Sequence, residues 1–352
     1  MHAFAVLSAD DRSIVDIEIP TPEPAGTEVR LRVLHSGVCH SDVHLREGSW
    51  DLGRAGELDM AAGQTYPLVM GHEAVGVVEA VGAEVTGVSP GDVRLVYPWI
   101  GCGACEECQA GRENLCATAP ALGIAKPGGY ADTILVPHER YLLDIEGLDE
   151  AWAATLACSG LTSYSAARKA LPADPAAPVV VIGAGGVGLM AIAALRALGH
   201  EKIVAVDLNE RNLELATGLG ASATVVANDP KLPQTIFAAA GGAASAVIDF
   251  VNSGATAPVG FAVLRKGGRM IQVGLFGGEL VVPTVMLPLK VATIQGSYVG
   301  TLDELRELVD IAKAGGLPQP PISTAELSAA RVAESLDRLR AGGVPGRIVL
   351  SA

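Results

Sequence analysis

The sequence is short of positive charge. It carries 25 lysines and arginines against 39 aspartates and glutamates, a formal net charge of −14 over 352 residues. A surface this acidic repels phosphate backbones, which argues against nucleic acid as a partner. Aromatic residues are scarce, at 4%, and no repeat, low-complexity tract or long block of like charge suggests a solenoid or a disordered arm. No basic segment followed by an apolar one opens the chain, so no secretory leader is expected. The one long charge-free stretch, 175–195, is interrupted by Gly-Ala-Gly-Gly and preceded by Pro175 and Pro178. It reads as strand, turn and helix rather than as a membrane span. The expectation is a soluble, cytoplasmic protein. Cysteine is sparing too, six in all: Cys102, Cys105, Cys108 and Cys116 lie within fifteen residues, and Cys39 and Cys158 stand alone. In a chain without a leader, such a cluster favours metal over disulfides.

Apolar residues, by contrast, make up 49% of the chain, enough for sizeable cores, and the length suggests two domains. Val179–Ile182 reads as a fully buried strand. Gly183, Gly185 and Gly188 then form G-x-G-x-x-G around Gly186 and Val187, and Leu189, Ile192, Ala193 and Leu195 follow at helical spacing. A helix opened by such glycines turns unpaired N–H groups and partial positive charge toward an anion. In a dinucleotide site Gly183 allows the tight turn, Gly185 lets a pyrophosphate approach the backbone, and Gly188 lets helix and strand pack closely. A second strand, 203–206, ends at Asp207, where the motif expects a carboxylate for the ribose hydroxyls. That carboxylate argues for NAD over NADP. Arg211, in the turn that follows, dissents, since it could neutralise the extra phosphate of NADP.

Further strands are expected at 223–226, 246–250, 269–273 and 291–295, alternating with helices as in a doubly wound parallel sheet. Residues 1–35 read as β-rich, 48–64 as a loop and 71–82 as a glycine-bounded strand. The tail reads as helices over 302–314 and 329–341 before a last strand at 347–350.

The spacing Cys102-x2-Cys105-x2-Cys108-x7-Cys116 offers four soft thiolates from one lobe. Such a set suits a tetrahedral zinc in a closed shell with no position for substrate. Four thiolates can also hold an iron–sulfur cluster; the reading taken is a structural zinc that folds its own loop. Cys39, His72 and Cys158 are ligand types far apart in the chain, and spacing alone does not join them.

Four motifs occur in order: Gly37-Val-Cys-His-Ser-Asp42, Gly71-His-Glu-Ala-Val-Gly76, the four-cysteine lobe and the G-x-G-G-V-G turn. Together they resemble, essentially end to end, the zinc-dependent alcohol dehydrogenases of the medium-chain dehydrogenase/reductase superfamily. The resemblance implies an α/β fold in two parts. A GroES-like, β-rich catalytic domain would take 1–155 and 299–352, and a Rossmann doubly wound parallel sheet, 156–298, would bind NAD. It also implies two zincs per chain, the second held by Cys39, His72 and Cys158 with a fourth position open for Lewis-acid chemistry. Ser41 and His44 match the family's proton relay. Asp42 matches the carboxylate that orients the metal-bound His72, and Glu73 the carboxylate behind the zinc. His40 and Arg347 match contacts to the pyrophosphate, Thr162 and Val187 pack against the nicotinamide, and Val273 joins the cofactor-binding set. Trp50 and Trp99 flank segments that reach the active site and are expected in the substrate pocket. His2, His35, His138 and His200 join no site.

The expected function is NAD-dependent interconversion of primary or secondary alcohols with aldehydes or ketones, by a homo-oligomer, a tetramer on the same resemblance. A polyol or amino-alcohol dehydrogenase of the same superfamily is the nearest alternative; the apolar residues of 48–64 and the two tryptophans lean away from it. A redox-silent NAD-binding protein that kept only the fold is the other, and the complete zinc set argues against it.

Overall fold

Six parallel strands form the sheet around which the second half of the chain folds. The computed structural model describes residues 1–172 and 174–352. In it the strand order is Ala223–Val226, Ile203–Asp207, Val179–Ile182, Ala244–Asp249, Leu264–Gln272 and Thr293–Gly296, with every pairing parallel. Val179, Val181, Ile203, Ala205, Ala246 and Ile248 enter one core, while Val180, Ile182, Val204, Val206 and Val247 enter the other. Strands buried on both faces need this unbroken apolar run, and each buried Val or Ile in it contributes about 1.5–3 kcal/mol. The strand Val179–Ile182 pairs on one side with the strand that follows it and on the other with Ala244–Asp249. The order reverses there, and open α/β sheets bind ligands in the crevice beyond the carboxyl ends at such a reversal.

Two of the expected strands have different bounds. The fifth begins earlier, at Leu264, and shifts register against its neighbour. The last starts two residues later, at Thr293, because Val291 takes a left-handed φ of 50° at the end of the short helix Met286–Lys290.

A second, mainly antiparallel sheet is built on Val29–Val38, which pairs with Glu73–Val81, Thr133–Val136 and Arg347–Ser351. The carboxyl-terminal strand thus returns the tail to the amino-terminal half. The tail's helices, Leu302–Lys313 and Ala329–Ala341, lie where apolar periodicity put them, the first opened by a Thr301–Glu304 capping box. One core runs from the parallel sheet through Leu161 and Leu156 into Leu31, Val75 and Leu95 of the second sheet, so the two halves share apolar packing.

The segment 48–64 is not the plain loop expected. Ser49–Asp51 and Glu57–Asp59 pair as a small antiparallel hairpin. No helix among the described residues is long and apolar enough to cross a membrane.

Candidate active site

Three distant segments meet where the two sheets join. Cys39 caps the helix His40–Glu47, His72 precedes the strand Glu73–Val81, and Cys158 caps the helix Ser159–Ala170. Their ligand atoms and a carboxylate oxygen of Glu73 all lie within 4.8 Å of one another, in buried residues. The two sulfurs are 3.9 Å apart, close to the roughly 3.8 Å that a tetrahedral ion with 2.3 Å bonds imposes. His72 Nε2 is buried without a partner, an arrangement that costs about 1–3 kcal/mol if nothing binds there. These donors fit a zinc ion.

Behind the histidine, Asp42 Oδ1 faces His72 Nδ1 at 3.1 Å. Its Oδ2 accepts from the Cys39 amide at 3.1 Å and from the Tyr130 hydroxyl at 2.9 Å. Sequence reasoning missed Tyr130, which lies 88 positions away from its partner with no motif linking them. Glu73 Oε2 accepts from Arg347 at 2.5 Å and Oε1 from the Ser159 amide at 3.1 Å. Gly37 is required here, since a Cβ on it would lie 2.0 Å from Glu73 Oε2.

Burial opposes the charged form of His72, but Asp42 and Cys39 outweigh it and lift its pKa well above the ordinary range. The hydrogen bond from Cys158 holds the Cys39 thiol well down, and the same contact raises Cys158. Burial pushes Glu73 up to about 7 against the pull of Arg347. Metal ligands bind as thiolate and neutral imidazole, so loading this site releases protons.

Ser41 Oγ lies 3.7 Å from the Cys39 sulfur. His44 follows three positions later, on the same face of the helix. Burial, with His40 beside it, holds the half-buried His44 imidazole below its ordinary pKa. The two tryptophans are not brought together. Trp99 packs 5.4 Å from the His72 ring, donates through Nε1 to Ala157 O at 3.0 Å, and meets Tyr298 edge-on at 5.8 Å. Trp50 lies 6.2 Å from the His44 ring and lines a cavity of about 330 Å³ with Asn252, Ser253 and Leu275. Phe276, 4.8 Å from the His40 ring, and Tyr298 were also missed. Both follow carboxyl ends of parallel strands, the one signal that could have found them.

The glycine turn has the geometry its residues suggested. Gly183 takes φ +86°, a Cβ on Gly188 would lie 1.8 Å from Gly183 O, and Gly185 faces open space. Asp207 Oδ2 accepts from the Ala184 amide at 2.7 Å and Oδ1 from the Asn209 amide at 2.8 Å. Arg211 pairs with Glu214 at 2.6 Å. Arg347 runs along Gly186 but directs its guanidinium at Glu73, leaving Nε without a partner. Thr162 Oγ1 is likewise buried and unpartnered. Val187 O accepts from Ser163 Oγ at 2.7 Å, and the Val273 amide donates to Asp249 O at 3.0 Å. The open cradle at Gly185 and the unpartnered atoms beside it fit a dinucleotide. His2 pairs with Asp16, His35 with Ser351, and His138 caps a turn, while buried His200 has neither ring nitrogen bonded.

The four clustered cysteines form a second centre. All their sulfurs lie within 4.8 Å, with Cys105–Cys108 at 3.4 Å and Cys102–Cys108 at 4.0 Å. So tight a set fits one ion better than a cluster, which spreads its thiolates over several irons. Burial raises Cys108 to about 12, whereas the Cys102 amide and further hydrogen bonds lower Cys116 to about 6. Beneath the lobe, buried Glu113 is held by the Tyr141 hydroxyl at 3.0 Å and by Arg140.

The chain matches the alcohol dehydrogenase GroES-like domain over residues 25–146 and the zinc-binding dehydrogenase domain over 186–314. It is 39% identical to an NAD-dependent alcohol dehydrogenase of Sulfurisphaera tokodaii, over 95% of each chain. The alcohol dehydrogenase of Aeropyrum pernix superimposes with a TM-score of 0.89 at 30% identity, over 100% of each chain. A cobalt- and zinc-bound thermostable alcohol dehydrogenase from Pyrobaculum aerophilum gives 0.83 at 27% identity, over 100% of this chain and 98% of that one.

Proposed function

Because the chain belongs to the zinc-dependent alcohol dehydrogenases of the medium-chain dehydrogenase/reductase superfamily, and is an NAD-dependent alcohol oxidoreductase, we propose that it interconverts hydrophobic primary or secondary alcohols with aldehydes or ketones. The reaction centre is Cys39, His72 and Cys158, with a second zinc in the cysteine lobe. The observation that carries this reading is the unpartnered His72 Nε2 beside two sulfurs 3.9 Å apart.

Zinc at this centre supplies Lewis acidity toward a substrate oxygen and lowers the pKa of a hydroxyl. A dinucleotide held at Gly183, Gly185 and Gly188 would supply the hydride acceptor or donor. The chain's own residues do the rest. Asp42 fixes the tautomer and direction of His72. Ser41 Oγ takes the proton that the substrate hydroxyl loses as it gives up its own, and neutral His44, one turn on, accepts the released proton on its way to solvent. Glu73 stands behind the ligands, tied to Arg347. Trp99 and Tyr298 give the centre an apolar wall, which supports hydrophobic substrates over polyols. Asp207 would accept from the ribose hydroxyls and so favour NAD, while Thr162, Val187, Val273, His40 and Arg347 would line the cofactor crevice.

We assign 1–155 and 299–352 to the catalytic domain and 156–298 to the NAD domain, supported by the return of Arg347–Ser351 to Val29–Val38. Thr293–Gly296 is an edge strand, and exposed Val281, Val285, Leu287, Leu289 and Val291 precede it. An open edge beside apolar surface supports a homo-oligomer, for which we propose a tetramer. The thiol-rich lobe supports a cytoplasmic setting.

The test is growth of absorbance near ~340 nm on mixing zinc-loaded protein, NAD and a panel of alcohols, scored by kcat/KM. Apolar alcohols should lead. No reduced nicotinamide with any alcohol would contradict the proposal, and a lead by polyols or amino alcohols would transfer it to that branch.

A further inference from the structure

We propose that Asn114 is a positioning residue through which the cysteine lobe sets the shape of the substrate pocket at the other metal centre. The inference rests on the reading of Trp99 and Tyr298 as a wall of that pocket.

Residues 297–301 carry the chain from the last parallel strand to the helix Leu302–Lys313. Within them Val299 takes φ +41°. A β-branched residue holds such a conformation only where its surroundings enforce it. Three side chains do so. Lys169 Nζ donates to Ser297 Oγ at 2.9 Å, Asn114 Nδ2 to Tyr298 O at 3.0 Å, and the Tyr97 hydroxyl to Gly300 O at 3.0 Å. The middle bond grips the carbonyl joined directly to the strained residue. Of the three it alone comes from the cysteine lobe: Asn114 lies in the turn Glu113–Leu115, two residues before Cys116. The neighbouring Glu113 is buried and held by Tyr141 and Arg140, so the turn is itself anchored.

Tyr298 meets Trp99 edge-on, and Trp99 packs against His72. On its outer side, Tyr298 borders a cavity of about 570 Å³ that Asn114 and Leu115 also line. The ring therefore has room to swing outward when its backbone is released. Four thiolates fill a tetrahedral shell and leave the lobe no chemistry of its own. Its influence on the reaction is the placement of Tyr298, and hence the width of the pocket.

Asn114→Ala should keep both zincs and raise kcat/KM for a branched secondary alcohol, relative to ethanol, by roughly tenfold, the scale of one or two methylenes in an apolar pocket. The change should fall mainly on KM, and near-UV circular dichroism should report altered Trp99–Tyr298 packing. Should the alanine variant be unstable, Asn114→Asp keeps the size, donates no hydrogen bond, and should behave alike. Tyr298→Ala should widen the pocket in the same direction. In that background Asn114→Ala should add little, because it acts through Tyr298. Wild-type selectivity in the Asn114 variants, with only a lower Tm, would overturn the proposal, as would additive effects in the double variant. Unchanged selectivity in Tyr298→Ala would overturn it while leaving the zinc alcohol chemistry standing. Failure of the wild-type chain to oxidise any alcohol would instead remove the functional reading beneath it.

Discussion

Replacing Asp207 by asparagine and by glycine separates two tasks of one carboxylate. Its oxygens accept from the Ala184 amide at 2.7 Å, the Asn209 amide at 2.8 Å and Asn212 Nδ2 at 3.4 Å. The first of these ties the second strand to the glycine turn, so the residue proposed to meet the ribose also braces the loop proposed to hold the pyrophosphate. Hydrogen bonds to a charged acceptor are worth about 1.5–3 kcal/mol each. Losing the two short bonds, Asp207→Gly should therefore destabilise the cofactor-free protein by roughly 3–6 kcal/mol, while Asp207→Asn, which keeps one carbonyl acceptor, should cost about half as much. Discrimination is a separate quantity. Repulsion of the NADP phosphate plus lost ribose hydrogen bonds, roughly 3 kcal/mol together, correspond to about a hundredfold preference for NAD in the wild type. Both variants should shrink that preference, mainly by weakening NAD. Arg211 bears on the outcome. Its pair with Glu214, both 65% exposed, is worth only about 0–1 kcal/mol and restrains it weakly. The assay is kcat/KM for both cofactors alongside thermal unfolding without cofactor. Equal or better use of NADP by the wild type would refute the reasoning and give the turn to Arg211.

Ser41→Ala should depress kcat by roughly 10²–10⁴-fold, and near-normal turnover would sink the proton-path assignment. His44 accepts a proton only when neutral, and burial keeps it neutral to lower pH than an ordinary imidazole. Alcohol oxidation should thus hold as pH falls through ~6.5 and decline only below it, with His44→Gln flattening that decline; His40, Glu47 and Cys39 are the charges around it. Gly37→Ala places a Cβ 2.0 Å from Glu73 Oε2 and should break the buried Glu73–Arg347 pair, at about 3–5 kcal/mol in denaturant unfolding; wild-type stability would show the pair to be dispensable. Tyr130→Phe removes one donor from Asp42 and should weaken zinc at the Cys39 centre about 10–100-fold in chelator competition, where unchanged affinity would speak against that support.

The parts legible in the sequence are those whose chemistry restricts residue type. Only glycine serves at Gly183 and Gly188, and four close thiols in the spacing of Cys102 to Cys116 serve a metal. Cys39, His72 and Cys158 were joined by resemblance, not by spacing, because the fold brings them together from three segments. The helix His40–Glu47 went unread because a cysteine takes the cap position usually filled by Ser, Thr, Asp or Asn. The hairpin at 49–59 gave no alternation, since Glu57–Asp59 is exposed at every position. Arg347, matched to a phosphate contact by resemblance, also directs its guanidinium at Glu73, 274 positions away. Tyr130, Asn114 and Tyr298 share that property. Their roles lie in contacts made by topology, which no local pattern encodes.

The central claim, a zinc centre for alcohol chemistry at Cys39, His72 and Cys158 apart from a structural zinc in the lobe, is tested most directly by metal analysis. Fully active wild-type protein should hold two zincs per chain. Cys39→Ser should hold one, keep its fold and lose most activity, and Cys105→Ser should also lose one but show chiefly a lowered Tm. One zinc or none in fully active wild-type protein would contradict the account.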